Sequence, residues 1–479
     1  MGAANRANSS EPRAFRVERI PVPPPHRLDR LLGRPGAVSL AGEWLGTAGD
    51  WFLLWPGAER RYSNRGRYDL SAVLDELDRT AEFAARDYSA KGASPSSAVS
   101  VLDGWSLALS YDAGRRFEPW PKTLPVRPEV DDLVLVRHRG GVFLPRFEKE
   151  AWLAAPADDW EFRERELRRG AITLCESSGS GVRLPLLARS ARLPAGVTSD
   201  FPRDRFRGAI GKIRRGISRG DFYQVNLTRR FRIRTSARDE SAPAIFRRLR
   251  SGHAAPLGFF QTLGGGRALL SNSPELFLAA DFESRGVVSS PIKGTALRGD
   301  SAGRDSKNRI GLSGSEKDRA EHVMIVDLVR NDIGRVGKTG SVDVAGMMRI
   351  QSTPVVHHLV SDVTAQMRAD VRPGALLRAA FPGGSVTGAP KIAALAAIER
   401  LETVRRGFYC GALGFYDRPS RRLELNLAIR TGLHHGDVLD FHAGGGIVWD
   451  SDADREWEEG NWKAEEFFEL ASKTSVRRR

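Results

Sequence analysis

The chain has 479 residues, enough for two to three ordinary domains or one large α/β body. Apolar residues make up 41% and charged residues 28%, as in globular chains, and no run of about 18 apolar residues reads as a membrane span. The formal net charge of +15 raises nucleic-acid binding, but the excess is arginine scattered in small clusters with no nucleic-acid module beside it, so no nucleic-acid partner is expected.

Residues 1–20 are polar and lack the apolar segment of a secretory signal, so a disordered start and a cytoplasmic protein are expected. Residues 21–195 form a first part with strand-like runs, "DWFLLWPG", "DDLVLVRHRGGVFLPRF" and "AITLCES", and a helical stretch, "SAVLDELDRTAEFAARDY", capped at Ser71. The two cysteines, Cys175 and Cys410, cannot build a disulfide framework and have no metal-ligand spacing, in agreement with a reducing compartment.

A polar, proline-marked link precedes the second part, residues 200–475. There "FRGAIGKIRRGISRG" reads as a helix ending at Gly220. "DFYQVNLTRRFRIRT", "GFFQTLGGGRALLS", "SPELFLAADFE" and "VVHHLVSDVTAQM" read as strands. "GALLRAAF", "KIAALAAIERLE" and "DADREWEEGNWKAEEFFELASK" read as helices. Grouped strands with helices between them predict an α+β fold and not a regular βαβ repeat.

Two segments imitate phosphate loops and fail. "DIGRVGKT" has Asp332 where a P-loop needs glycine, and an acid there repels phosphate. In "FPGGSVTGAPK", Pro390 precedes Lys391 and no hydroxyl residue follows it.

Two acidic pairs stand out. "SGSEKDRAEHVMIVDLVRNDIGRV" starts at an N-cap, Ser315, and its almost wholly apolar run from Val323 to Val329 predicts a buried helix. Asp318 and Glu321 share one face; a capping box with Ser315 is an ordinary alternative for Asp318, whereas Glu321 lies past the first turn. In the last helix Glu456, Glu459 and Lys463 fall at i, i+3 and i+7, where a solvated acidic stripe is the ordinary alternative. Facing each other, the two pairs make an all-oxygen site for Mg²⁺.

Glycine-rich segments, among them "HAGGGIVWDS", allow close approach of backbone N–H groups to an anion, although turn chemistry explains any one of them. Arg430 interrupts the alternating strand "LNLAIRTGL", and its planar fork suits a carboxylate. Mg²⁺, N–H loops and arginine together point to a small dicarboxylate. Lys293, in "SSPIKGTALRGD", stands in a tight Pro/Gly turn. Alone it reads as a solvated loop charge, with a lysine placed to react as the alternative.

The ordered set "GDFYQVNL", "SNSPELF", "PIKGT", "KDRAEHVMIVDLVRNDIGRV", "VVHHLVS", "FPGGSVTGAPK", "AIRT", "AGGGIV" and "EWEE" resembles the chorismate-using enzymes, and within them component I of aminodeoxychorismate synthases. The resemblance covers residues 200–470 strongly, and "LDGWSLALSYDAGRRFE" extends it into the first part. It implies two packed antiparallel β-sheets flanked by helices. It also implies Mg²⁺-dependent amination of chorismate by ammonia to 4-amino-4-deoxychorismate, a step toward 4-aminobenzoate and folate.

By that resemblance Glu321 and Glu459 hold the metal, with Asp318 and Glu456 around it. Gly444, Gly445 and Gly446 offer N–H groups to the ring carboxylate, and Arg430 and Tyr409 hold the enolpyruvyl carboxylate. Thr295, Thr387 and Lys463 join the substrate-binding set. Glu275 resembles the general acid, and His358 an active-site histidine with a positioning or proton-transfer role. Water-adding relatives carry a basic lysine where this chain has Gln224, which cannot deprotonate water. Anthranilate synthases resemble "PIAGT", so Lys293 implies attack at C2 and amination at C4. Neither cysteine stands in a nucleophile-elbow context, so ammonia is expected from a separate glutaminase partner or from solution.

Two departures are visible. Gly460, Asn461 and Trp462 follow "EWEE" where the family often has Thr and Asn. "GAVSLAGEW" matches poorly the residues that bind a tryptophan ligand in some relatives, Gly42 standing where serine is sought. Anthranilate synthase component I is the nearest alternative activity, and a silent binding subunit is the alternative of another class.

Overall fold

The computed structural model describes residues 15–21, 32, 34, 36–42, 44, 50–64, 70, 73, 74, 77, 103–144, 150–156, 161, 162, 165, 193–235, 241–353, 355–418 and 420–472. Strand pairing follows one antiparallel path. It runs from Asp343–Ser352 through Val356–Gln366, Gly286–Ser290, Leu276–Asp281, Arg422–Leu427, Ala412–Asp417 and Asp103–Leu109 to Leu133–Leu144. It continues through Asp50–Asn64, Val38–Gly42, Leu257–Gly264, Arg267–Ser273, Thr431–His435 and Val438–Ile447 to Gln224–Arg234. Register shifts at Leu54/Pro56 and Pro56/Arg61 bend the long Asp50–Asn64 and Leu133–Leu144 pair, where the path passes from one sheet to the other.

The two sheets pack face to face, as period-2 alternation dictates. Ala108, Val134, Leu413 and Phe415 of the first sheet meet Leu40, Phe259, Leu269 and Leu433 of the second in one core. Their neighbours point outward: Leu107, Leu135 and Tyr416 toward helices Glu316–Gly334 and Pro373–Ala380, Phe260 and Leu270 toward Ala242–His253 and Glu465–Ser472. Helices Arg203–Ser218, Lys391–Leu401 and Ala453–Lys463 pack on Val225 and Leu227 of Gln224–Arg234. The α+β expectation, two antiparallel sheets flanked by helices, therefore holds.

Several local expectations change. Phe15–Pro21 is a strand paired with Glu150–Pro156, inside the segment expected to be disordered. Residues 1–14, Ser71 and residues 171–177 with Cys175 lie outside the described residues. "GFFQTLGGGRALLS" is a hairpin and not one strand, because Gly264, Gly265 and Gly266 all adopt positive φ. The last helix breaks at Ala464 into Ala453–Lys463 and Glu465–Ser472. Trp44, fully buried between the sheets, donates its indole N–H to Gly258 O at 2.8 Å, so the segment poorly matched to a tryptophan ligand carries a tryptophan of its own. No helix among the described residues is long and apolar enough to cross a membrane.

Candidate active site

Lys293 lies in the strand Ile292–Leu297, not in a turn. Ile292 pairs with Val360 and Thr295 with His358, so Lys293 and Gly294 together oppose Leu359. This is a β-bulge, and Gly294 at φ 82° supplies the left-handed residue it needs. A Cβ on Gly294 would lie 3.0 Å from Leu359 Cδ1 and 3.1 Å from Asp318 Cβ, so the bulge is pressed against the helix Glu316–Gly334. The amine has lost water to burial and is held below the ordinary lysine range, despite the pull of Glu321, Glu275 and Glu459.

Glu275 is buried at the start of Leu276–Asp281, and burial lifts its carboxyl to about 7. Ser385 Oγ donates to its Oε1 at 2.7 Å, and the charge of Lys293 reaches it. His358 is buried across the ladder from Thr295, with Nδ1 2.9 Å from Thr295 Oγ1 and no partner at Nε2. Burial, with Arg430, His357 and Lys463 nearby, lowers His358 to about 3, so its ring is neutral. Lys293, Glu275, His358 and Thr295 thus come together on the edge of the first sheet.

The acidic pairs face this group. Ser315 Oγ accepts from Asp318 N at 3.3 Å, which caps the helix with the backbone and leaves the Asp318 carboxylate outside the cap. Val323 is 48% exposed, so this helix is half-wetted and not buried all round. Across from it, a Cβ on Gly445 would lie 3.4 Å from Glu456 Oε2, 3.4 Å from Glu459 Oε1 and 3.5 Å from Lys463 Nζ. Lys463 Nζ is 2.7 Å from Glu459 Oε1 and donates to Gly444 O at 3.1 Å. Burial raises the carboxyls of Glu321 and Glu456, and the charge of Glu459 raises both further; Lys463 holds Glu459 low and is itself raised by it. Among the described residues, the three ligand-type groups found within 4.8 Å of one another are Glu129, His435 and Asp440. Arg127 and Arg230 already neutralise that trio.

The glycine run Gly444–Gly446 pairs with Thr228, Leu227 and Asn226. Thr431–His435 covers the other edge of that strand only as far as Phe441, which leaves the edge beside the glycines open to an anion. Gln224 is fully buried over Gly446, and neither end of its amide has a hydrogen-bond partner among the described residues.

Other expected groups are placed differently. Arg430 does not interrupt a strand; it links Arg422–Leu427 to Thr431–His435 at φ 48°, with Nε 4.0 Å from Glu466 Oε1. The Tyr409 ring stacks on His442 with centroids 5.4 Å apart and lines a small cavity with Arg406 and Thr431. Thr387 turns its hydroxyl inward to Gly383 O and Gly384 O, closing a short 3₁₀ turn.

Sequence reasoning missed Ser385 and His322. Ser385 hides in the failed phosphate loop, where its hydroxyl donates to the Glu275 carboxylate. His322, fully buried, meets Ser361 Oγ at 2.7 Å and ties the Glu321 helix to the strand bearing His358. Nothing in its periodicity distinguished it from a core residue.

Comparison with known proteins gives the family and the fold. The model of a family described as chorismate binding enzyme matches residues 48–469. Aminodeoxychorismate synthase component 1 of Escherichia coli is 36% identical over 366 residues, 75% of each chain. Anthranilate synthase component 1 of Aquifex aeolicus is 39% identical over 261 residues, 54% of this chain and 51% of its own. The solved menaquinone-specific isochorismate synthase of Escherichia coli shares the fold, with a TM-score of 0.67 at 18% identity over 97% of this chain and 96% of its own.

Proposed function

This chain belongs to the chorismate binding enzymes, and we propose that within the family it aminates chorismate at C4, as component I of an aminodeoxychorismate synthase. The observation that carries this reading is the Lys293 bulge, which sets a desolvated amine within the field of a protonatable Glu275. Their environments push the two pKa values in opposite useful directions: the amine toward its neutral, nucleophilic form and the carboxyl toward its proton-bearing form.

In the proposed reaction the Lys293 amine bonds C2, the ring double bond shifts, and the C4 hydroxyl departs as water with the proton of Glu275. The nitrogen of Lys293 gives up one proton as the bond forms, and the Glu275 carboxylate takes it, restoring the acid. Ammonia then bonds C4, the double bonds return, and Lys293 leaves C2, taking up the proton that the new C4 ammonium releases. His358, neutral and fixed by Thr295, orients the departing group through Nε2. Gln224 offers an amide to the ring in place of a base, which fits ammonia and not water as the entering group.

The carboxylate set fits a divalent cation, because Glu321 and Glu456 are buried with too little compensating charge. Glu321 and Glu459 would hold Mg²⁺, with Asp318 and Glu456 around it through water. The ion would supply positive charge to the ring carboxylate. A separate glutaminase subunit would supply ammonia; the name component 1 of the relatives implies a partner component.

The test is mass spectrometry of wild type and Lys293→Ala with chorismate, ammonium and Mg²⁺. A covalent adduct on Lys293 and loss of C4 amination in the variant are expected. Retained C4 amination refutes the nucleophile, and anthranilate formed without a lyase shows that the chain is an anthranilate synthase.

A further inference from the structure

The helix Ala453–Lys463 is held at its start by exposed Arg203 and Arg207 on Asp454, and deeper along its second face it meets one buried cation. Arg229, on the strand Gln224–Arg234, is among the most deeply buried large side chains, at 1% exposure. Its Nη2 donates to Trp457 O at 2.8 Å and to Asn461 Oδ1 at 2.6 Å. Its guanidinium carbon lies 3.4 Å from the Trp457 ring centroid and 4.8 Å from that of Phe231. No carboxylate among the described residues pairs with it, and Nε and Nη1 have no hydrogen-bond partner. Burial, with Arg203 nearby, lowers its pKa to about 9.

An uncompensated buried guanidinium is a costly group, only partly offset by two oxygens and aromatic faces. Its placement shows what it does. Trp457 follows Glu456, and Asn461 lies two residues past Glu459. One Nη2 therefore grips the helix at its backbone and again one turn later, which fixes both rotation and height. The strand that carries Arg229 also carries Gln224 and pairs with Gly444–Gly446. Gly460 supplies the space: a Cβ there would lie 3.5 Å from Arg229 Nη2, so a β-branched side chain would press its outer atoms into the guanidinium. Gly460 and Asn461, which depart from the family pattern, are thus the counterpart of Arg229.

We propose that Arg229 is a positioning residue for the acidic face, acting through Trp457 and Asn461 to aim Glu456, Glu459 and Lys463. The proposal rests on the reading of those carboxylates as the cation site. The experiment compares full-length wild type, Arg229→Met and Asn461→Ala by three measurements without chorismate: thermal melting, Mn²⁺ binding by electron paramagnetic resonance, and the rate of Lys463 acetylation by acetic anhydride.

Arg229→Met is expected to melt at or above wild type, because an unpaired charge gives way to apolar volume. Its Mn²⁺ dissociation constant is expected to rise about tenfold or more, and Lys463 to acetylate several-fold faster as it leaves Glu459. Wild-type Mn²⁺ affinity and wild-type acetylation in Arg229→Met overturn the proposal, whatever its melting temperature. If Arg229→Met fails to fold, Asn461→Ala, which keeps the cation, decides by the same two readouts. If wild type itself binds no Mn²⁺, the cation reading has failed, and the acetylation rate alone decides the positioning role.

Discussion

Lys391 Nζ lies 2.6 Å from Asp332 Oδ2 in a buried ion pair, and this pair joins the two segments whose sequences imitate phosphate loops. The acid that disqualifies one loop and the lysine that ends the other are partners. Burial still lifts Asp332 from 3.8 to about 6, against the pull of Lys391 and Arg335 and with Glu118 nearby. Between those values the native state binds the proton more tightly than the unfolded chain. The contribution of Asp332 to stability is therefore highest below the lower value and falls as pH rises toward about 6. Lys391→Met leaves the charge uncompensated and is expected to cost about 3–5 kcal/mol at neutral pH by urea denaturation. Acidification toward pH 5 should recover part of that loss, and Asp332→Asn in the same chain most of it. A neutral-pH loss under about 1 kcal/mol would show the pair to be dispensable.

In the proposed reaction Glu275 is the proton donor, and burial lifts its carboxyl to about 7. The kcat/KM for chorismate is accordingly expected to fall as pH rises through about 7, since the acid form is the working one. Glu275→Gln should be slower by about 100-fold or more and should lack that alkaline limb. Ser385→Ala removes a hydrogen bond to the ionised carboxylate, so the limb should shift upward. A limb at the same pH in Glu275→Gln would assign it to another group.

The fold was largely legible because both sheets alternate cleanly, as in Leu107, Ala108 and Leu109, which point out, in and out. What misled was local. A run of three glycines between apolar stretches reads as a strand interrupted or as a turn, and pairing alone decides. The acidic pairs were legible from i, i+3 spacing, but Lys463 on Glu459 was not visible as an ion pair that shapes the site. Lys293 read as part of a turn because Pro291 and Gly294 flank it. Only the strand register reveals a bulge, which holds the amine more rigidly than a loop does. Arg229 gave no sign, since one arginine among many looks like surface.

Gly444 and Gly445 separate ladder from site within two residues. A Cβ on Gly444 would fall on Leu227 O in the neighbouring strand, whereas the nearest atoms to one on Gly445 belong to Glu456, Glu459 and Lys463, at ordinary contact distance. Gly444→Ala is expected to lose about 1–3 kcal/mol of stability. Gly445→Ala should keep its melting temperature and lose chorismate turnover, because the methyl occupies the space between the carboxylates. Equal melting losses in both variants would place Gly445 in the ladder's structure and remove it from the site.

Gln224 is proposed to face the substrate as an amide in place of a base, and its free energy can be read twice. Both ends of the amide are buried without a partner among the described residues, an arrangement that costs about 1–3 kcal/mol. Methionine keeps the length and removes the unpaired groups. Gln224→Met is therefore expected to melt at or above wild type while KM for chorismate rises about tenfold, the worth of one hydrogen bond to bound substrate. Ligand-induced stabilisation should shrink in parallel, because chorismate no longer satisfies the amide. A variant that melts lower and binds chorismate as tightly as wild type would show the amide to be part of the core and not of the site.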